Sequence, residues 1–416
     1  MRATTLLRRL VDVTGARVTG VRFFSGGAVS VEVAPLWRKP RCGVCGRRAP
    51  MYDRRPLRWW RHLVVGARVV LLAYAPRRVQ CRRCGVRTEQ VPWGAAASRF
   101  SWAFEEWVAY LAQITDQTHV HKLTGVAWVT VGQIIERVVQ RRLSPDRLVN
   151  LRRIGIDEFS YRKRHRYLTI VVDHDRRRVV WAAEGRNAET LRAFFRELGP
   201  QTCAAVELVS IDMAGGYKKA IAEFLPTAQV IYDRFHVQRL AGDALDAVRR
   251  LLVREAAAAE EDDNDEPQAI KKTRWVLLKG RRRLDAEERA RLHEVQRTNR
   301  PLYRGYLLKE TLADALDYRQ PARAEKALKS WIAWACRSRL QPFVRVARTL
   351  RAHFDGVLAY IRHRLTNGLA EGLNNKLRII SRRAYGFHSA EALIAMLFLN
   401  SGGIELSPRL PRPTPC

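Results

Sequence analysis

Long apolar runs are missing from this 416-residue chain, and so are acidic residues in any number that would balance its bases. No uninterrupted apolar stretch reaches the ~18 residues that a spanning helix needs. The opening Met1-Arg2-Ala3 leads into Leu6-Leu7-Arg8-Arg9 rather than into the apolar core of a signal peptide. A cytoplasmic protein is expected, with no membrane contact. The deficit of acids is large: Lys+Arg 75 stand against Asp+Glu 41, a formal charge of +34 at pH 7. A field of that sign draws in polyanions. Nucleic acid is the expected partner, and the nucleoid the expected surroundings, unless the excess is only the arginine usage of a GC-rich genome. Its distribution is uneven, with 21 Lys/Arg and 4 Asp/Glu in residues 1–100. A disordered chain is excluded by 47% hydrophobic and 9% aromatic residues. The length suggests two to four folding units.

Up to about residue 95, apolar runs such as Val29 to Val33 and Val64 to Ala73 alternate with Gly, Pro and Arg clusters, the pattern of short β-strands with tight knuckles. From Ser101 to Arg142 the apolar spacing turns helical, through Trp107, Leu111 and Ile114 and then Val131, Ile134, Ile135, Val138 and Val139, with a short helix and a turn between at Thr118 to Trp128. Three helices with a tight turn before the last suggest a helix-turn-helix. Beyond Arg153 the period changes again. Ile154 to Asp157, Tyr167 to Asp173 and Val179 to Ala183 read as three consecutive strands. A helix at about 187–198 follows, then a strand Val206 to Asp212, a helix Gly216 to Phe224, a strand Ala228 to Asp233 and a long helix Val237 to Arg254. That order fits an α/β core with a mixed sheet. The acidic run Glu260 to Pro267 reads as a solvated loop, and the polar helical stretch to about 355, with Trp331, Trp334 and Phe343 as core residues, as an inserted helical domain. A helix through Glu371, a Tyr385-Gly386-Phe387 turn and an apolar helix from Ala390 complete the expected elements.

Cysteine is sparse at seven residues, yet four fall into Cys42-Gly43-Val44-Cys45 and Cys81-Arg82-Arg83-Cys84. In a reducing compartment such pairs point to a tetrahedral Zn²⁺ rather than to disulfides, and Gly46 and Gly85 directly after them permit the tight turn. Cys203, Cys336 and Cys416 stand alone and carry no expected role. Arg47, Arg48, Arg77, Arg78, Arg82 and Arg83 crowd the pairs, so contact with DNA phosphates is the natural expectation.

Two carboxylates close apolar strands, Asp157 in Ile154-Gly155-Ile156-Asp157 and Asp212 in Val209-Ser210-Ile211-Asp212, and Glu371 stands 159 positions after Asp212 on an expected helix. Converging carboxylates share a site at low electrostatic cost only with cations between them. Three could hold two Mg²⁺ (or Mn²⁺) ions and serve phosphoryl transfer, which asks chiefly for positioning and charge neutralisation. Asp233 and His236 share a helix face if the helix has begun there. A buried histidine capped by Asp233 and a catalytic His236 both remain open. Lys376, Arg382 and Arg383 recur after Glu371 and line either a DNA path or a solvated basic face. His62, His119, His121 and His165 read as surface or DNA-proximal residues.

Taken in order, these motifs resemble the ISL-three family of insertion-sequence transposases, members of the DDE superfamily. The resemblance lies in Gly155-Ile156-Asp157-Glu158-Phe159 with Lys163 to Tyr167, in Ser210 to Met213 with Tyr217 and Ala220, in Tyr232 to Val237, and in Thr366-Asn367-Gly368 with Glu371, Gly372, Asn374, Arg383 and Tyr385 to Phe387. His388 departs from it, where arginine is expected. The resemblance implies a ribonuclease H-like core, catalytic and metal-binding roles for Asp157, Asp212 and Glu371, and His236 near the scissile phosphate or in proton relay. It implies double-stranded DNA partners (terminal inverted repeats and target) and a homo-oligomer on DNA. The expected divisions are a zinc module at 1–97, a helix-turn-helix at 98–150, a catalytic domain at 151–400 with an insertion at about 255–355, and a tail at 401–416. The alternative is a descendant that binds DNA without strand transfer.

Overall fold

A computed structural model describes residues 5, 9–95, 97–162, 166–213, 216–258, 270–366, 368–384, 386–387 and 389–407. The acidic run Glu260 to Pro267 and Lys163, His165, Asn367, Tyr385, His388 and Cys416 lie outside them. The chain divides into two units, residues 1–144 with 380–416, and residues 145–379.

In the first unit, β1 (Ala16–Phe23), β2 (Val29–Pro35), β4 (Arg58–Arg61) and β5 (Val70–Tyr74) form a sheet in the order β1-β2-β5-β4. Its core holds Val31, Val33, Trp60, Leu72 and Trp93. A second sheet, β3-β6-β7, joins β3 (Met51–Arg54), β6 (Arg77–Cys81) and β7 (Gly85–Thr88), all antiparallel. Helices α1 (Trp102–Ile114), α2 (Gln117–Thr124) and α3 (Trp128–Arg142) follow. The Ser101 hydroxyl caps α1 by accepting from the Phe104 N–H, and Gly125 ends α2 at φ +64°, a left-handed position that suits glycine. This is the expected helix-turn-helix order. Helix α15 (Ala390–Ser401) packs on α1 and α3, so the last apolar helix completes this unit. His62 is not on the surface. It is 3% exposed, and its ring joins the Ser101 hydroxyl at 2.7 Å and the Val11 carbonyl at 2.8 Å.

The second unit is built on a five-stranded sheet, β10-β9-β8-β11-β12, from β8 (Arg153–Arg162), β9 (Arg166–Asp173), β10 (Arg178–Glu184), β11 (Leu208–Ile211) and β12 (Gln229–Tyr232). β8, β9 and β10 are antiparallel neighbours, while β11 and β12 run parallel to β8. This is the mixed sheet of a ribonuclease H-like core. Helices α4 (Ala188–Leu198), α5 (Pro200–Ala205), α6 (Lys218–Phe224) and α7 (Arg234–Ala258) connect or follow the strands. Asp157 does not end its strand. β8 continues to Arg162 because β9 bonds it along its length, with Asp157 opposite Ile170.

Helices α8 (Arg274–Leu278), α9 (Ala286–Thr298), α10 (Arg300–Asp317), α11 (Pro321–Arg337), α12 (Gln341–Ala352) and α13 (Phe354–His363) form the expected helical region. Trp331 and Phe343 are buried there and Trp334 is half-buried. Among the described residues this region shares its core with the sheet, in one apolar cluster that runs from Leu151 and Ile154 through Trp331 and Phe343 to Ile361. Helix α14 (Gly368–Arg383) buries Ala370, Asn374, Leu377 and Ile380 along one stripe. No helix among the described residues is long and apolar enough to cross a membrane.

Candidate active site and cysteine cluster

Three parallel strands deliver three carboxylates to one edge of the sheet. β11 pairs with β8 in a register that sets Ser210 opposite Gly155, and two residues further each chain reaches Asp212 and Asp157. β12 pairs with β11 with Tyr232 opposite Ile211, so Asp233 follows β12 as Asp212 follows β11. The carboxyl ends of parallel strands are where open α/β sheets place ligands, and Asp212 and Asp233 lie just past two such ends, level with Asp157 inside β8.

Asp157 is held from two sides. Its Oδ1 accepts from the Glu158 N–H at 2.8 Å and its Oδ2 from the Asn374 side-chain amide at 2.8 Å. Burial pushes its carboxyl up to about 6, with the charges of Asp212 and Glu371 adding to the effect and the Glu158 N–H and His236 opposing it. Asn374 reaches Asp157 because it stands one helical turn after Glu371 on α14. Its amide role was not read from the sequence, although the three-residue spacing from Glu371 was there to find it. Glu371 is also raised, first by burial and then by Asp233 and Asp212. Beneath the site, the Tyr217 hydroxyl meets Thr169 Oγ1 at 2.9 Å, and Thr169 donates to the Gly185 carbonyl at 2.8 Å.

His236 sits between the acids. Its Nδ1 lies 3.3 Å from Asp212 Oδ2 and its Nε2 3.8 Å from Glu371 Oε1. Among the described residues, the sets of three or more metal-capable groups that converge within 4.8 Å are Asp233–His236–Glu371 and the four cysteines. Asp212 and Glu371 thus flank His236, while Asp157, Asp212 and Glu371 do not themselves converge within that distance.

The two Cys pairs do meet. Cys42, Cys45, Cys81 and Cys84 place their sulfurs within 4.8 Å of one another, and Cys45 and Cys81 are 3.6 Å apart. Tetrahedral Zn–S bonds of about 2.3 Å set sulfurs roughly 3.8 Å apart, whereas a disulfide needs about 2.05 Å. Gly46 at φ +69° and Gly85 at φ +72° supply the left-handed residue after each pair, as the spacing predicts. Backbone N–H groups of Arg83 and Cys84 favour the Cys81 thiolate, while burial and then the neighbouring sulfurs push the Cys84 thiol up.

The arginines around the cluster are not equivalent. Arg77 grips the buried Glu89 through Nε and Nη2, with the closest contact at 2.7 Å, and Arg78 is paired with Asp53. Arg47, Arg48, Arg82 and Arg83 are exposed. On α14, Lys376, Arg382 and Arg383 are exposed as well. A buried acid missed from the sequence holds the three-helix region: Glu105 is 0% exposed and accepts from Ser98 at 2.8 Å, Arg137 at 2.8 Å and Arg141 at 3.2 Å.

Comparison with known proteins adds to this geometry. A family model described as transposase matches residues 154–397, and one described as the helix-turn-helix domain of transposase family ISL3 matches residues 89–139. The chain is 38% identical over 384 residues to the transposase for insertion sequence element IS1557 of Mycobacterium tuberculosis, covering 87% of this chain and 86% of the relative. It is 31% identical over 367 residues to the transposase for insertion sequence element IS1001 of Bordetella parapertussis, covering 88% and 90%.

Proposed function

This chain belongs to the ISL3 family of insertion-sequence transposases, DDE enzymes that cleave DNA and transfer strands, and from that premise we propose that Asp157, Asp212 and Glu371 are its catalytic carboxylates. The observation that carries this reading is the register that sets Asp157, within β8, level with Asp212, just past the end of the adjacent parallel β11, with α14 tied to Asp157 through Asn374.

DDE chemistry uses a divalent metal, and these hard oxygen donors suit Mg²⁺ (or Mn²⁺). When bound, the cations neutralise charge on the transferring phosphoryl group and ease deprotonation of the attacking hydroxyl or water. The chain's own residues do the rest. Asn374 and the Glu158 N–H fix both oxygens of Asp157, so the carboxylate is preorganised before DNA arrives. His236, between Asp212 and Glu371, is the further catalytic residue of this reading, placed beside the reacting phosphate.

The proposed division is a zinc module at 1–97, a helix-turn-helix at 98–150 and a catalytic domain at 151–400. Cys42, Cys45, Cys81 and Cys84 hold Zn²⁺ in this reading. DNA binding follows from the helix-turn-helix. Its finer assignment is that the first two modules recognise the terminal inverted repeats, with Arg47, Arg48, Arg82 and Arg83 on phosphates and Lys376, Arg382 and Arg383 along the DNA path. Arg77 and Arg78 contribute there only through what their carboxylate partners leave free. Joining two element ends at once calls for at least two copies on the DNA.

The test is purified protein with labelled DNA carrying the element's ends, in Mg²⁺ or EDTA, beside Glu371→Ala. Mg²⁺-dependent cleavage and joining that vanish in the variant support the assignment. Undiminished joining by Glu371→Ala removes Glu371 from the reaction.

A further inference from the structure

Asp233 and His236 stand together at the junction of β12 and the first turn of α7, and Glu371 comes to them from α14, more than a hundred residues later in the chain. Their ligand atoms nevertheless lie within 4.8 Å of one another. Asp233 is 2% exposed, and His236 Nε2 is buried with no hydrogen-bond partner among the described residues. Nε2 faces Glu371 at 3.8 Å, too far for a hydrogen bond, while Nδ1 lies 3.3 Å from Asp212. Two carboxylates and an unpartnered ring nitrogen thus converge where something positive is needed. A carboxylate beside the far ring nitrogen is the arrangement that fixes a histidine tautomer and leaves the other nitrogen's lone pair for a metal. Ligands on one octahedral cation with bonds of about 2.1 Å stand roughly 3–4 Å apart, comparable to this cluster.

We propose that Asp233, His236 and Glu371 together bind one divalent cation, with His236 Nε2 as a ligand, and that this mixed nitrogen and oxygen set favours Mn²⁺ over Mg²⁺. Mg²⁺ seeks oxygen in near-ideal octahedra and dehydrates reluctantly, whereas imidazole suits first-row transition ions. The inference rests on Glu371 being a cation-binding carboxylate, and it names that carboxylate's partners. The competing arrangement is a protonated His236 bridging Asp212 and Glu371 with no metal bond.

Electron spin echo spectroscopy of the full-length protein with added Mn²⁺ separates the two. The expected result is an imidazole nitrogen coupling to Mn²⁺ that is lost in His236→Gln. Mn²⁺ affinity should fall at least tenfold in that variant, with Mg²⁺ affinity falling less, so that their ratio moves toward one. Mn²⁺ bound without nitrogen coupling in the unaltered protein overturns this proposal while leaving the carboxylate assignment standing. Failure of both Mn²⁺ and Mg²⁺ to bind overturns both. The unaltered protein alone decides the first point, and circular dichroism of His236→Gln shows whether its loss of affinity is read on folded protein.

Discussion

Gly155 stands two residues before Asp157, in the strand that has β9 on one side and β11 on the other, so its backbone has nowhere to shift. A Cβ there would meet His174 Nε2 at 2.7 Å, Val172 Cγ2 at 2.8 Å and Ser210 Oγ at 3.0 Å. Val172 is 0% exposed and β-branched, and cannot swing away. His174 and Ser210 are bonded to each other at 2.8 Å, so moving either endangers that bond, worth about 1 kcal/mol. Overpacking adds about 1–3 kcal/mol, and relief of glycine's backbone entropy returns about 0.5–1 kcal/mol. Gly155→Ala should therefore destabilise this sheet by about 1–3 kcal/mol. Because the chain has two units, the suitable assay is amide hydrogen exchange of the β8, β9 and β11 peptides by mass spectrometry, which reports local opening. Exchange should be roughly 5- to 150-fold faster. Gly242→Ala is the control. It lies inside α7 with nothing within 4 Å of an added Cβ, and should stabilise by about 0.5–1 kcal/mol. Unchanged exchange in Gly155→Ala would refute the argument that close packing of β8 on its neighbours places Asp157.

Asn374→Ala removes the donor to Asp157 Oδ2 and should raise the Mg²⁺ concentration for half-maximal cleavage by about tenfold or more; a merely structural loss would lower the rate equally at all Mg²⁺ concentrations. Arg137→Met leaves the buried Glu105 with Arg141 and Ser98 only, and should cost about 1.5–3 kcal/mol in the exchange of α1 and α3, with Glu105→Gln in the same chain recovering part of it. His174 is held down to about 4 by burial. Its folded value lies below the unfolded 6.5, so the unfolded chain takes up the proton first and stability is lost as pH falls from 6.5 toward 4. Between pH 7 and 5 that loss is up to about 2 kcal/mol, and His174→Gln should flatten the profile. Metal analysis should find Zn in the purified protein at more than about 0.5 equivalents per chain, and Cys81→Ser should lose the ion and the protection of β3, β6 and β7; full protection without zinc would count against a structural ion.

Much of this protein is local and therefore legible. Hydrophobic period separates the strands of residues 16–88 from the helices of 102–142, and paired Cys-x-x-Cys steps followed by Gly46 and Gly85 announce knuckles whose left-handed φ the backbone then adopts. The order of three strands followed by alternating elements, and the positions of Asp157, Asp212 and Glu371 within it, are likewise properties of the chain taken a few residues at a time. What period does not encode is which strand lies beside which, and in what register. The hairpin with β9 carries β8 past Asp157 to Arg162, and parallel pairing of β12 with β11 brings Asp233 level with Asp212. Only the docking of α14 aims Asn374 at Asp157 and sets Glu371 beside His236 and Asp233. The same holds for burial: Glu105 and His62 look like surface residues until partners distant in the chain satisfy their polar atoms, and Arg77 looks free until Glu89 claims it. A charge can be counted from the sequence, but its partner is chosen by the packing.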